Sequence, residues 1–106
     1  MLVVYVPATH AAALRTALAA AGAGRIGAYD SCSFSTTGEG RFRPLPGSAP
    51  FLGSHGQLET VAEERIEVVL PESAAPEVAK ALRSAHPYET IAAHFVPVLD
   101  WKSFLE

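Results

Sequence analysis

The side chains best able to do chemistry in this chain gather in two places. His86-Pro87-Tyr88-Glu89 sets an imidazole, a phenol and a carboxylate around a proline. Such a group can carry a proton or hold a ligand at a subunit junction. It can equally be a helix stop in which Tyr88 packs and Glu89 bonds a backbone donor. The second place is the run from Glu59 to Glu67, where Glu59, Glu63 and Glu67 recur on one strand face with Arg65. Paired carboxylates share a proton or bind a cation, and with an arginine among them they also form a cross-strand salt-bridge ladder. His55 lies between Gly53 and Gly56 and is either a ligand to a metal or anion or a solvated turn residue. Cys32 is either a metal ligand or redox thiol, or a small residue on the core face of a strand, which free cysteine often is. The candidate ligand-binding residues are therefore His86, Tyr88, Glu89, His55, Glu63, Arg65 and Glu67. The candidates for a divalent metal are His86, Glu89, His55 and Cys32. His10 and His94 read as structural. The sequence has no C-x-x-C, H-x-H or H-E-x-x-H spacing, so metal ligation has no local signature, and no triad identifies a catalytic set.

These groups need elements to position them. Leu2 to Val6 is an apolar run ended by Pro7, as in a central strand buried on both faces. Thr9 is placed to cap a helix over Ala11–Ala21, with Leu14, Leu18 and Ala21 on its inner face. Gly22 follows as the residue that takes a left-handed conformation past the helix end. Ala28–Thr36 alternates, which predicts a strand with Cys32 and Phe34 toward the core and its serines on the other face. Thr37–Gly56 reads as a long shaped loop, stiffened by Pro44, Pro46 and Pro50 and anchored by Phe42, Phe51 and Leu52, with Arg41-Phe42-Arg43 like a short edge strand. Leu58–Leu70 predicts a long strand. Ser73 caps a second helix with Pro76 in its first turn and Val78 and Leu82 on its apolar stripe. That helix must stop near Ala85, because His86 precedes Pro87 and is pushed out of the α region. Ile91–Leu99 is a last strand, and Asp100–Glu106 a short amphipathic tail with Trp101, Phe104 and Leu105.

The order β-α-β-β-α-β predicts an α+β, ferredoxin-like domain: an antiparallel sheet with two helices on one face. The other face is left solvated or used for assembly. It is expected to carry the serines of the second strand beside Glu63, Arg65 and Glu67.

Composition excludes several classes. With 106 residues the chain is a single domain, 1–106, and 49% hydrophobic residues suffice for a core. Residues 1–57 hold four basic and two acidic side chains, and residues 58–106 hold four basic and nine acidic. No basic stripe indicates nucleic acid. No apolar run approaches the roughly 20 residues of a membrane span. A single cysteine fits a reducing cytosol, and the N-terminus lacks a signal-peptide pattern. All eight glycines fall between Gly22 and Gly56. Gly22, Gly24 and Gly27 have G-x-G-x-x-G spacing, but they follow a helix and precede a strand, the wrong context for a dinucleotide.

Gly22-Ala23-Gly24, Ile26-Gly27, Tyr29 and Cys32-Ser33-Phe34 begin a series of motifs. Gly38, Gly40, Phe42-Arg43-Pro44 and Pro50-Phe51-Leu52-Gly53 continue it, and Leu58-Glu59, Val61, Glu63, Arg65-Ile66-Glu67 and His86-Pro87-Tyr88-Glu89 complete it. Together they resemble the insertion domain of Nif-three-like proteins over nearly the whole chain. A more distant resemblance is to CutA and PII signalling proteins, which share the ferredoxin-like fold and assemble as trimers; the ending HPYETIAAHFVPVLDW is similar in style to that of CutA. The resemblance implies a stand-alone version of the insertion, without the flanking domains that hold the family's two-metal site. Cyclohydrolase-type activity is then not implied for this chain.

Three functions follow as expectations. One is a cytoplasmic binding or regulatory module, a homo-oligomer and by resemblance a trimer, whose Thr37–Gly56 loop engages a divalent metal, small ligand or partner protein. The next is a divalent-metal protein. The last is a hydrolase-type enzyme acting on a nucleotide-like substrate at an intersubunit site.

Overall fold

A computed structural model describes all residues 1–106. Val3, Val4 and Val6 favour extended backbone, and Leu2–Pro7 forms β1. The chain then runs through α1 (Ala8–Ala20), β2 (Phe34–Phe42), β3 (Glu59–Val68), α2 (Ala75–Ala85) and β4 (Ala93–Phe95), with short 3-10 turns at Glu72–Ala74 and Trp101–Phe104. The four strands form one antiparallel sheet in the order β2-β3-β1-β4, with α1 and α2 packed together. This is the ferredoxin-like arrangement the element order predicts.

Strand pairing assigns each side chain to a face. Val4 is opposite Ile66 and Leu2 opposite Val68. These four are buried against Leu14 and Leu18 of α1 and Val78 and Leu82 of α2. Glu64 shares that face, and its Oε1 accepts from Arg15 Nη1 of α1 at 2.6 Å. Tyr5 and Arg65, opposite one another, point to the uncovered face together with Glu63 and Glu67.

The largest departure from the sequence reading is β2. It begins at Phe34 and continues to Phe42, so Ala28–Ser33 lies outside the sheet, with only Tyr29 bridged to Ile26, and the predicted loop Thr37–Gly56 loses its first third to the sheet. Gly38 and Gly40 look like loop signals, but nine positions of pairing to β3 override their poor strand propensity. The remaining connection is residues 43–58. The register also reverses the predicted faces: Phe34 lies opposite Glu67 on the open side and is 67% exposed, while Ser35 lies on the helix side and receives Arg15 Nη1 at 3.2 Å. A one-residue offset moves every side chain to the opposite face. Cys32 is not on a strand at all. It is partly buried in the turn before β2, its N–H bonded to Gly24 O.

Other boundaries shift less. Neither helix uses its expected side-chain cap: α1 starts at Ala8 directly after Pro7, leaving Thr9 inside its first turn, and Ser73 sits in the 3-10 turn ahead of α2. Gly22 does end α1, with φ +104°. The third strand is Glu59–Val68 rather than Leu58–Leu70. The last is Ala93–Phe95 rather than Ile91–Leu99, because only this piece finds β1 as a partner, and Pro97 follows. The tail turns on itself, with Asp100 Oδ1 accepting from Lys102 N at 3.0 Å, and leaves Leu99, Trp101, Phe104 and Leu105 exposed.

The turn after α2 is pinned by His86, which is only 5% exposed. Its Nδ1 accepts from Tyr88 N at 3.1 Å, so Nε2 carries the hydrogen and donates it to Tyr5 O at 2.7 Å. Burial holds its pKa below the ordinary 6.5, with the Tyr5 carbonyl and Glu63 opposing the shift and His10 adding slightly to it.

Leu14 is fully buried, so Leu14→Ala lowers the unfolding free energy by about 2–5 kcal/mol in urea denaturation. Lys80→Ala, whose side chain is 67% exposed, changes it by no more than about 0.5 kcal/mol. The His86 shift makes the unfolded state the better proton binder between the lowered folded pKa and 6.5. Its contribution is therefore complete above 6.5 and is lost as pH falls toward the folded value. Tm measured from pH 8 to pH 5 should fall more steeply in the native sequence than in His86→Gln.

Candidate functional site

The open sheet face is roofed at one end. Residues 43–58 leave β2, arch back over the sheet and rejoin at β3. Internal bonds hold their shape: Gly56 N donates to Pro44 O at 2.7 Å, Ser48 Oγ to Leu45 O at 2.7 Å, and His55 Nε2 bonds Ser48 O at 2.8 Å. Two contacts tie the arch down. Ala49 N donates to Glu89 Oε1 at 2.8 Å, and Phe51 packs edge-on to His10 with centroids 5.5 Å apart.

Between roof and sheet lies a cavity of about 710 Å³. Tyr5, Gly40, Phe42 and Glu63 contribute from the strands, Pro44, Leu45, Pro50 and Phe51 from the arch, and Tyr88 and Glu89 from the turn after α2. Volume and composition suit a small molecule: mostly apolar walls with a few placed polar groups.

Tyr88 is the hub. Its ring meets Phe42 at 5.7 Å and Phe51 at 6.4 Å, and backs onto His86 at 5.1 Å. Its hydroxyl donates to Glu63 Oε2 at 3.2 Å. Burial, the Glu63 charge and this hydrogen bond push its pKa up to about 12, so the phenol stays a donor across the physiological range. Glu63 can lie beneath the ring because the neighbouring strand has a glycine there: a Cβ on Gly40 would run into the Glu63 carboxylate. Glu63 Oε1 has no protein partner and is not sealed from solvent.

The candidates named from sequence thus separate. Glu63, Tyr88 and Glu89 line the cavity. His86 lies behind Tyr88 with both ring nitrogens engaged, and His55 braces the arch. Arg65 and Glu67 share the open face outside the cavity. They pair at 3.4 Å within one strand instead of across strands, and Arg65 also donates to Tyr5 OH at 3.1 Å. Cys32 lies beside Ile66 and Val68, apart from the other metal candidates. No group of three or more His, Cys, Asp or Glu side chains is arranged to hold a metal ion. Tyr5 also lines the cavity without a motif that names it from sequence, and Gly40, which the sequence offers only as a turn-shaping glycine, lines it too. A tyrosine in an otherwise aliphatic first strand was the available signal for the first of these. Nothing local marked Gly40 as the companion of Glu63.

No family model matches the chain. It is 52% identical over 87 residues to the GTP cyclohydrolase 1 type 2 homolog of Mycobacterium leprae, a match covering 82% of this chain and 23% of that protein. It is 47% identical over 97 residues to the protein of the same name from Bacillus subtilis, covering 92% and 26%. The crystal structure of a Bacillus cereus protein related to NIF3 superposes with TM-score 0.80 at 46% identity, over 93% of this chain and 25% of that one. The chain spans about a quarter of the length of these relatives. Over that quarter the chain matches one domain of these Nif-three-like proteins.

Proposed function

We propose that this domain is a Nif-three-like binding or regulatory module whose ligand site is the cavity beneath residues 43–58. The observation that carries this reading is the roofed cavity itself. The arch contributes no side chain to the hydrophobic core, yet it is held in one shape by its own bonds and by Glu89. A segment ordered without serving the core is best explained by what it encloses. The relatives' shared name belongs to proteins about four times as long, and no acid–base pair here favours the hydrolase reading.

The module is also a homo-oligomer in this proposal, with the trimer taken from the likeness to CutA and PII proteins. The molecule measures 55 × 22 × 21 Å with a radius of gyration of 15.4 Å, against about 13 Å for a compact domain of this length. Several large apolar side chains are exposed: Phe34 on the open face and Leu99, Trp101, Phe104 and Leu105 on the tail. Exposed apolar side chains close in sequence, as on the tail, suit an interaction site. A single unpaired cysteine suits a reducing cytosol.

Replacing residues 44–56 by an Asn-Gly turn should leave Tm within a few degrees, because the core is untouched. It should abolish binding of aromatic fragments, cationic, anionic and neutral, in ligand-observed NMR. Fragments that bind the shortened protein equally well would refute the site. For assembly, light scattering should give three times the 11.2 kDa chain mass, and a double Leu99→Ser, Trp101→Ser variant should shift toward monomer with unchanged circular dichroism. A monomeric native protein at micromolar concentration would refute it.

A further inference from the structure

Charge within the cavity is unevenly placed. Glu39, Glu63 and Glu89 line it against Arg41 and Arg43. Arg41 is already paired with Glu39 at 2.9 Å on the exposed rim. That leaves two carboxylates, Glu63 and Glu89, against one guanidinium, Arg43, which is exposed and has no carboxylate in salt-bridge range. Glu63 is half-buried and touches the Tyr88 ring system through the hydroxyl. Each of the two carboxylates spends one oxygen on the protein, Glu63 on Tyr88 and Glu89 on Ala49, and keeps the other without a protein partner.

The rings complete the pattern. Phe42 and Phe51 each pack on Tyr88, at 5.7 Å edge-on and 6.4 Å tilted, and Tyr5 lines the same space. Rings in edge-on and tilted contact leave part of their faces uncovered by one another. An aromatic face is the negative side of the ring and attracts a cation, most strongly where water is excluded. A carboxylate beside such faces adds a charge-assisted hydrogen bond to any N–H it meets. An anion entering here would face two carboxylates against one unpaired guanidinium, a net repulsion. A neutral apolar molecule would leave Glu63 Oε1 without a partner and partly desolvated, which costs free energy.

We propose that the cavity takes a small organic cation: an ammonium or amidinium group on an apolar or aromatic body, the charge against Glu63 and Glu89 and the body against Phe42, Phe51 and Tyr88. This rests on the ligand-site reading above and adds the chemical class. The raised pKa of Tyr88 comes first from burial, with the Glu63 charge adding to it. Gly40 is the positioning residue, since its missing side chain is what lets the Glu63 carboxylate reach the cavity.

Three probes of one shape separate the possibilities: benzylammonium, benzyl alcohol and benzoate, titrated by NMR at pH 7. Benzylammonium is expected to bind at least about tenfold more tightly than benzyl alcohol, and benzoate more weakly than either. Glu63→Gln keeps an acceptor for the Tyr88 hydroxyl but removes the charge, and should erase most of the preference. If that variant fails to fold, Gly40→Ala serves, because its methyl displaces the carboxylate without removing it and should lower benzylammonium affinity with benzyl alcohol unchanged. Equal binding of all three probes, or a preference for benzoate, would overturn the cation assignment and leave the cavity as a site. A preference for benzylammonium that survives both Glu63→Gln and Gly40→Ala would overturn the role of Glu63. Failure of all three probes to bind would overturn the cavity reading itself.

Discussion

The chain has helices for only one face of its sheet, and everything else follows from that. Leu2, Val4 and Val6 of β1 are buried against α1 and α2 together with Ile66 and Val68 of β3. The opposite face has no layer of its own. Along most of its length it is furnished with charge and small groups: Arg65 and Glu67 paired, Thr36 opposite Arg65, and Gly38 opposite Glu63. At one end it is covered by residues 43–58. At the other it exposes Phe34. A single-sided core in a 106-residue domain buries little, so the uncovered face is where ligands and partners must be sought.

The roofed end is joined to the core by a short relay of hydrogen bonds. The carbonyl of Tyr5 on β1 receives His86 Nε2–H, His86 Nδ1 receives the N–H of Tyr88, and the Tyr88 hydroxyl reaches Glu63 on β3. This relay crosses from the buried strand to the cavity floor and fixes where the Tyr88 ring stands. Phe42 and Phe51 then pack on that ring. Glu89, one residue on, holds the arch through Ala49. The four residues His86 to Glu89 thus divide the labour: the histidine anchors, the tyrosine and glutamate face the cavity. Burial keeps His86 neutral, which the two-sided bonding of its ring requires.

Much of this was legible in the sequence. The order of elements was readable because Pro7, Gly22 and His86-Pro87 punctuate it by known backbone mechanisms. The importance of His86-Pro87-Tyr88-Glu89 was readable from residue types. The course of β2 was not. Its glycines argue locally for a loop, and only pairing with β3 makes them strand, a long-range effect that propensity does not carry. The error placed Cys32 in a strand and turned Phe34 inward, since face assignment inherits any register mistake. The cavity was invisible for a related reason. Gly40 and Glu63 lie 23 positions apart in sequence, and their contact exists only once the register of β2 on β3 is set.

The most direct measurement is amide chemical-shift mapping on the 15N-labelled protein titrated with benzylammonium. Ligand seated beneath the arch should move the signals of Gly40, Phe42, Ala49, Glu63 and Glu89 together, with one saturation curve. Shifts centred instead on Phe34, Arg65 and Glu67, or spread evenly over the surface, would contradict a ligand site in this cavity.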